Sequence, residues 1–211
     1  MRYLIVCLGA AMLLSACGNE TSNEKKNMDT SADARFDAYK ERFVEELWQT
    51  HPGWASSVGY HKYDSVLLAP TQAERDKEIA FCNRHLDSLK QFDENALSDN
   101  NKTDRLMIQN QLESSIWSVN EERSYEWNPS GYNVAERFAE ILNGTYDSAD
   151  TRLHNIGIKL AGVPAYYEAA KQNIKNPTKE HTELAIEQNE GGTSVLETDL
   201  PAALEKSKLP A

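Results

Sequence analysis

Apolar residues recur at helical spacing in one segment after another of this 211-residue chain. The first segment, Asp33 to Gln49, has a broad apolar stripe formed by Phe36, Tyr39, Phe43, Val44, Leu47 and Trp48. No run of alternating β-branched residues is long enough to predict a strand. The sequence therefore predicts an all-α fold: an irregular bundle of about seven or eight helices that is part of a larger α-helical domain.

Capping and breaking signals divide the chain into these helices. The next predicted segments run from the capping box at Thr71 to about Phe92, from Lys102 to Glu122 and from Val134 to Leu142. Another begins at Ser148 or Asp150, is broken or kinked at Pro164, and continues to Asn176-Pro177. A further segment runs from Thr178 through Gln188. Gly191-Gly192 is expected to end the last of these, and Thr193 to open another helix. The stretch 52–64 has no clear period and predicts an ordered loop with one helical turn near Ala55 to Val58.

The N-terminus carries the pattern of a bacterial export signal. Eleven apolar residues, Leu4 to Leu14, follow a short basic start, and this run is too short to span a bilayer. Leu14-Ser15-Ala16-Cys17 matches all four positions of the lipobox, which predicts cleavage before Cys17 and acylation of its sulfur. An ordinary secretory signal with an incidental cysteine is the alternative. We predict a signal peptide at 1–16, a lipidated flexible tether at 17–30 and an α-helical domain at 31–211.

The charge of the chain restricts its partners. The net charge is −11, and removal of residues 1–16 takes away only Arg2, leaving 21 basic against 33 acidic residues, or −12. An acidic body repels phosphate backbones and anionic lipids, so no nucleic-acid partner is expected. The acyl chains on Cys17, palmitate among them, would then hold the protein to the membrane. The predicted location is the cell envelope, facing the periplasm or the exterior.

Motifs for metal, phosphate or nucleotide chemistry are missing from the sequence, so no cofactor is predicted for this chain. None of the five histidines has another at the spacing that places two imidazoles on one helix face. Cys82 falls on the apolar face of a predicted helix and is interpreted as a core residue. No catalytic or metal residue is assigned.

Two pairs remain as candidates for a cleft. His61 and Asp64 lie in the aromatic loop, where a rigid scaffold can present polar groups, although a turn cap would explain them equally. Tyr166 and Tyr167, with Trp117 and Trp127, could line a groove for a peptide or glycan. Aromatic residues at helical spacing are more often part of a core.

Several segments together resemble the bacterial domain of unknown function 885 family. They are Pro52 to Asp64, Arg152-Leu153, Val163 to Tyr167, Asn173, Pro177 and the Glu183 to Gly191 segment. The resemblance implies a largely α-helical protein that is much longer than this chain. It also implies a similarity to zinc metallopeptidases, because the family carries a His-Glu motif in its C-terminal half.

This sequence lacks that His-Glu motif, so zinc and a peptide substrate are expected only for full-length relatives. The first hypothesis is therefore an N-terminal, truncated part of such a protein that is inactive alone. The second is a complete helical lipoprotein that binds a peptide, a glycan or a partner protein. The third is an unaided hydrolase that uses His61 and Asp64.

Overall fold

The computed structural model describes residues 31–209, and these residues form an all-α protein without a strand. The predicted fold class is therefore confirmed. The predicted cleavage site, Cys17 and the tether lie outside the described residues. The α-helices are α1 (Ala32–Thr50), α2 (Pro52–Ser57), α3 (Gln72–Leu89), α4 (Asp99–Trp117), α5 (Ser124–Trp127), α6 (Ala135–Asn143), α7 (Ala149–Leu160), α8 (Val163–Asn173), α9 (Lys179–Ser194) and α10 (Leu200–Leu204).

Local capping marks the start of four of these helices, α1, α3, α4 and α7. The side chains of Ser31, Thr71, Ser98 and Ser148 each accept a hydrogen bond from the amide three residues later, at 3.1 to 3.5 Å. Each bond satisfies an amide that has no partner within its own helix. Pro164 lies in the first turn of α8, so it separates α8 from α7 rather than kinking one long helix.

The first of two hydrophobic cores forms where α1, α3 and α4 pack together. Its buried side chains are Phe36, Tyr39, Phe43, Leu47, Phe81, Cys82, Leu89, Leu97 and Leu112. The interior position of Cys82 is confirmed, and so is the predicted stripe of α1 at Phe36, Tyr39, Phe43 and Leu47. Trp48 is only partly buried, and Val44 is wrongly included in the stripe, since it is 41% exposed. Burial raises the pKa of the Cys82 thiol to about 12, which keeps it protonated and unreactive.

Helical spacing predicts that one side of α4 and the turn after it is formed by Leu106, Gln109, Leu112, Ile116 and Val119, and this prediction is wrong in part. Leu106 is 53% exposed, whereas Asn101 and Leu112 are buried. Asn101 donates to Asp33 at 2.8 Å and accepts from Lys40 at 2.6 Å, so a polar residue occupies a core-facing position. This anchor turns the helix so that the positions near 101, 108 and 112 face α1, and Leu106 points away.

The second core involves α6, α7, α8 and the last turns of the chain. Its buried members are Tyr132, Val134, Phe138, Ile141, Leu153, Ile156, Tyr166, Ala170 and Leu200. A 3₁₀ turn at Pro129–Tyr132 and a π-turn at Val195–Asp199 complete its boundary. The extended segment 64–71 connects this region to the first core.

The expected helix end at Gly191-Gly192 is wrong, because α9 continues to Ser194. A Cβ atom on Gly192 would lie only 2.5 Å from the Cβ of Ala135. The glycine therefore permits α9 to pack closely against α6, which is a packing role and not a helix stop. The helix expected to open at Thr193 is instead the π-turn followed by α10.

Candidate functional site

Asp64 is the centre of a buried polar cluster. It follows a short 3₁₀ turn, His61–Tyr63, and its side chain is fully buried. Ser56 in α2 donates to one carboxylate oxygen at 2.6 Å, and Tyr146 donates its hydroxyl to the other. The Nδ1 atom of His61 lies 3.2 Å from the same oxygen as Tyr146. Asp64 thus connects the loop after α2 to the loop between α6 and α7.

The surroundings of Asp64 affect Tyr146 most strongly. Burial, and then the hydrogen bond to Asp64, raise the pKa of the Tyr146 phenol above its usual range. The rings of His61 and Tyr146 stack nearly parallel, at an interplanar angle of 3°. The two rings therefore cover the carboxylate on its outer side.

Lys159 of α7 lies near this cluster and is only 1% exposed. Its ammonium makes no hydrogen bond to any other described residue. Burial lowers the pKa of Lys159, and the positive charge of Arg137 lowers it further, while the charges of Asp64 and Glu140 act in the opposite direction. A buried cation without a close partner is costly, so Lys159 depends on these more distant carboxylates.

The geometry does not provide an activated nucleophile at His61. Ser56 shares Asp64 with His61, but the acceptors within reach of its hydroxyl are Asp64, at 2.6 Å, and the carbonyl of Pro52, at 3.1 Å. An activated serine would instead donate to the histidine. The arrangement is that of a buried carboxylate that fastens two loops together.

The structure does not bring the four predicted aromatic residues into one groove wall. Tyr166 is 3% exposed and belongs to the second core, in edge contact with the ring of Tyr167. Tyr167 donates to Asn189 of α9 at 3.2 Å. Trp117 is exposed on α4, and Trp127 packs edge-on against His181.

Sequence reasoning missed Tyr146 and Lys159. Lys159 follows Leu153 and Ile156 at intervals of three, which places it on the apolar face of α7. A single lysine among apolar residues on that face is the sequence feature that could have identified Lys159 as a buried cation. Tyr146 gave no such signal, because it lies in a loop 82 residues from its partner Asp64.

A cleft lies between the two cores, and sequence reasoning also missed it. Its main cavity has a volume of about 400 Å³ and an apolar wall that includes Leu68, Val119, Tyr125 and Tyr132. His51 and Glu78 also line it, with the Nε2 atom of His51 3.1 Å from a carboxylate oxygen of Glu78. A second cavity of about 250 Å³ shares Arg75, Val119 and Tyr125 with the first. The two cavities therefore adjoin each other, and together they are called the cleft; their volumes are within the size range of small-molecule sites.

Within residues 31–209, no group of three or more histidine, cysteine or acidic side chains is arranged to hold a metal ion. Over the same residues, no helix combines the length and apolar character needed to cross a membrane.

Comparison with known proteins places the chain in a family. The family model described as "Bacterial protein of unknown function (DUF885)" matches residues 52–210, which is most of the chain. The chain therefore belongs to the DUF885 family, as the sequence resemblance indicated. A search of curated proteins finds no match.

One solved structure is similar over most of this chain. It is described as "a putative lipoprotein of unknown function from Shewanella oneidensis", is 40% identical and superimposes with a TM-score of 0.81. The match covers 83% of this chain but 32% of that protein, so the chain spans about a third of its relative.

Proposed function

We propose that this chain is the N-terminal helical part of a lipid-anchored, metallopeptidase-like envelope protein, and that it is inactive alone. The observation that carries the proposal is the match to the Shewanella protein, which covers 83% of this chain and 32% of its relative. In this proposal, the remaining two thirds of a full-length protein supply the metal ligands and the catalytic glutamate. This chain supplies one helical wall beside the substrate.

The exposed apolar side chains of the C-terminal helices support this arrangement. Leu184 and Ile186 of α9 and Leu204 of α10 are each 43–54% exposed. Large apolar side chains that stay exposed can be covered by another surface. In the proposal, the rest of a full-length protein covers them.

The proposed anchor is a lipid on Cys17. The description of the Shewanella relative as a lipoprotein supports it, together with the lipobox of this chain. Cys17→Ser in the full chain should move the protein from the membrane fraction to the soluble fraction and abolish incorporation of labelled palmitate. Unchanged fractionation of this variant would contradict the anchor.

A peptide library tests the catalytic part of the proposal. The purified chain should not hydrolyse it, with or without added zinc, whereas the whole Shewanella protein should hydrolyse it and lose that activity to a chelator. A whole relative without peptidase activity would overturn the peptidase assignment. Hydrolysis by this chain alone that His61→Ala abolishes would favour the unaided hydrolase instead.

The cleft between the two cores favours a second function, in which the helical chain binds a ligand without catalysis. The described residues already form this cleft without any contribution from further domains. Saturable ligand binding by this chain, with no turnover, would support the second function.

A further inference from the structure

The smaller cavity of the cleft is a local concentration of positive charge. Its lining includes Arg75, Arg123 and Lys175 but a single carboxylate, Glu126. The whole chain has a net charge of −11, so this composition is opposite to that of the protein. Charges outside about 8 Å are largely screened at physiological salt, so the nearby groups decide what binds here.

The carboxylates close to Arg75, Arg123 and Lys175 do not fully neutralise these three side chains. Arg123 and Lys175 both pair with Glu126, and these two bonds lower the pKa of the Glu126 carboxyl to about 2. Glu126 is thus the one carboxylate paired with both cations, with Glu121 acting on Arg123 from farther away, and Arg75 has no carboxylate within 4 Å among the described residues. Its Nε atom is buried and has no hydrogen-bond partner in that part of the chain.

Arg75 is held in place as a rigid element of the cleft. Its two terminal nitrogens donate to the carbonyl of Pro70 and to Gln72, each at 3.0 Å. The guanidinium lies 4.1 Å from the ring centroid of Tyr125. Because this packing fixes the guanidinium, a ligand would not need to order it.

Two amide side chains add free donors to the same cavity. Asn120 and Gln172 both line it, and neither makes a side-chain hydrogen bond to another described residue. Amide donors and cations at one point favour a ligand that accepts hydrogen bonds and carries negative charge.

The larger cavity next to this cationic pocket is mainly apolar, and the two share Arg75, Val119 and Tyr125. The larger cavity is also lined by Glu74 and Glu78, whose carboxylates would repel an anion there, whereas neither glutamate lines the smaller cavity. An anionic group is therefore favoured in the smaller cavity, with an apolar body in the larger cavity beside Leu68 and Val119.

We propose that the cleft binds an amphiphilic carboxylate, with the carboxylate at Arg75, Arg123 and Lys175 and the apolar body in the larger cavity. The chemistry is shared by two sources: a free aliphatic or aromatic acid, and the C-terminus of a peptide with an apolar last residue. The proposal depends on residues of this chain alone and stands whether or not a full-length relative is a peptidase.

Calorimetry with three probes of one shape tests the charge preference. The full chain carrying Cys17→Ser should bind 4-phenylbutyrate saturably, and it should bind 4-phenylbutylamine and the neutral 4-phenylbutanamide at least about tenfold more weakly. Added salt should weaken binding of the acid. Equal binding of acid and amine would overturn the proposal. So would a dissociation constant for the acid above about 10 mM, which corresponds to a binding free energy weaker than about 3 kcal/mol.

Charge-removing variants locate the site. Arg75 also fastens Pro70, so we choose the more exposed pair, Arg123→Gln with Lys175→Gln. This double variant should bind 4-phenylbutyrate about tenfold more weakly. Lys179→Gln, which removes a still more exposed lysine outside the cleft, should bind as before. Equal affinities in the double variant and this control would contradict the assigned site.

A cavity-filling variant and two peptides complete the test. Val119→Trp should abolish binding of the acid, and circular dichroism of every variant separates lost binding from lost folding. Retained binding in folded Val119→Trp would overturn the placement of the apolar body. N-acetyl-Ala-Phe with a free C-terminus should bind at least about tenfold more tightly than its amide. Its affinity relative to 4-phenylbutyrate shows whether a peptide or a free acid is preferred.

Discussion

At the scale of single residues, this protein places several ionisable side chains inside its packed regions. Asp64, His85 and Lys159 are all less than 6% exposed. Asp64 is satisfied by hydroxyl donors, His85 by a tyrosine and a glutamate, and Lys159 by no close partner among the described residues. Substitutions of these three residues should therefore change the free energy of unfolding with different signs and sizes, since the cost of burying each group is offset to a different extent.

Replacing Asp64 removes the common acceptor of the buried cluster. Asp64→Ala should lower the free energy of unfolding by about 2–4 kcal/mol, because Ser56 and Tyr146 lose their partner and Lys159 loses a neutralising charge. Urea denaturation followed by circular dichroism measures this change. Asp87→Ala, at an exposed position of α3, is the control and should change stability by about 0.5 kcal/mol or less. Similar values for the two variants would show that the cluster contributes little to stability.

His85 should make stability depend on pH. Burial is the largest influence and lowers the pKa of His85 below its usual 6.5, although Glu46 acts against it. The unfolded chain therefore takes up a proton at a higher pH than the folded protein. This contribution to stability is complete above about pH 6.5 and is lost as the pH falls through the folded pKa.

Denaturation midpoints at pH 8 and at pH 5.5 test this dependence. Stability should fall between the two values in the parent chain, and the fall should be smaller in His85→Gln. His154→Gln, at an exposed position, should behave like the parent. An identical pH dependence in all three proteins would rule out His85 as its source.

At the scale of helices and loops, structural features that depend only on residues close in sequence were predictable. Thr71, Ser98 and Ser148 cap helices through amides three residues away, so their roles are visible locally. Gly192 acts through a contact with α6, more than fifty residues earlier, and the sequence alone could not separate that role from a helix stop. The face of α4 was mispredicted for the same reason, since Asn101 is buried by bonds to distant Asp33 and Lys40.

The two adjacent glycines of α9 allow a matched test of this packing. Gly192→Ala should lower the free energy of unfolding by about 1–3 kcal/mol, because its Cβ would meet that of Ala135 at 2.5 Å. Gly191→Ala meets nothing within 4 Å and should raise stability by about 0.5–1 kcal/mol through better helix propensity. Ala135→Gly should restore part of the loss in Gly192→Ala. Equal effects of the two alanine substitutions would contradict the close contact between α6 and α9.

At the scale of the whole molecule, the all-α class and family membership were predictable, whereas the cleft was not. Periodicity fixes which segments are helical, but the cleft arises where two separate cores meet. Its lining joins residues as distant as His51 and Tyr132, and no local pattern connects these positions. Asp64 was singled out because its loop has unusual composition. Tyr146, which donates to Asp64, and Lys159, on which the charge of Asp64 acts from a distance, come from a distant loop and helix.

The outward apolar residues of α9 test whether a further surface covers this chain. Leu184→Gln with Ile186→Gln should reduce binding of a hydrophobic dye and change the free energy of unfolding by no more than about 0.5 kcal/mol, since both side chains are largely exposed. Ala185→Gln is the matched control. It places a polar side chain at the buried position between them and should destabilise the protein by about 1–3 kcal/mol.

Dye fluorescence and urea denaturation of the full chain measure both effects. If the double variant instead destabilises as much as Ala185→Gln, then Leu184 and Ile186 pack within this chain and do not form a face for another part of a longer protein. The same double substitution at the matching positions of the Shewanella protein should be destabilising, because there the remaining two thirds of the fold would bury these side chains. If the double substitution does not destabilise the Shewanella protein, the proposed covering surface has no support.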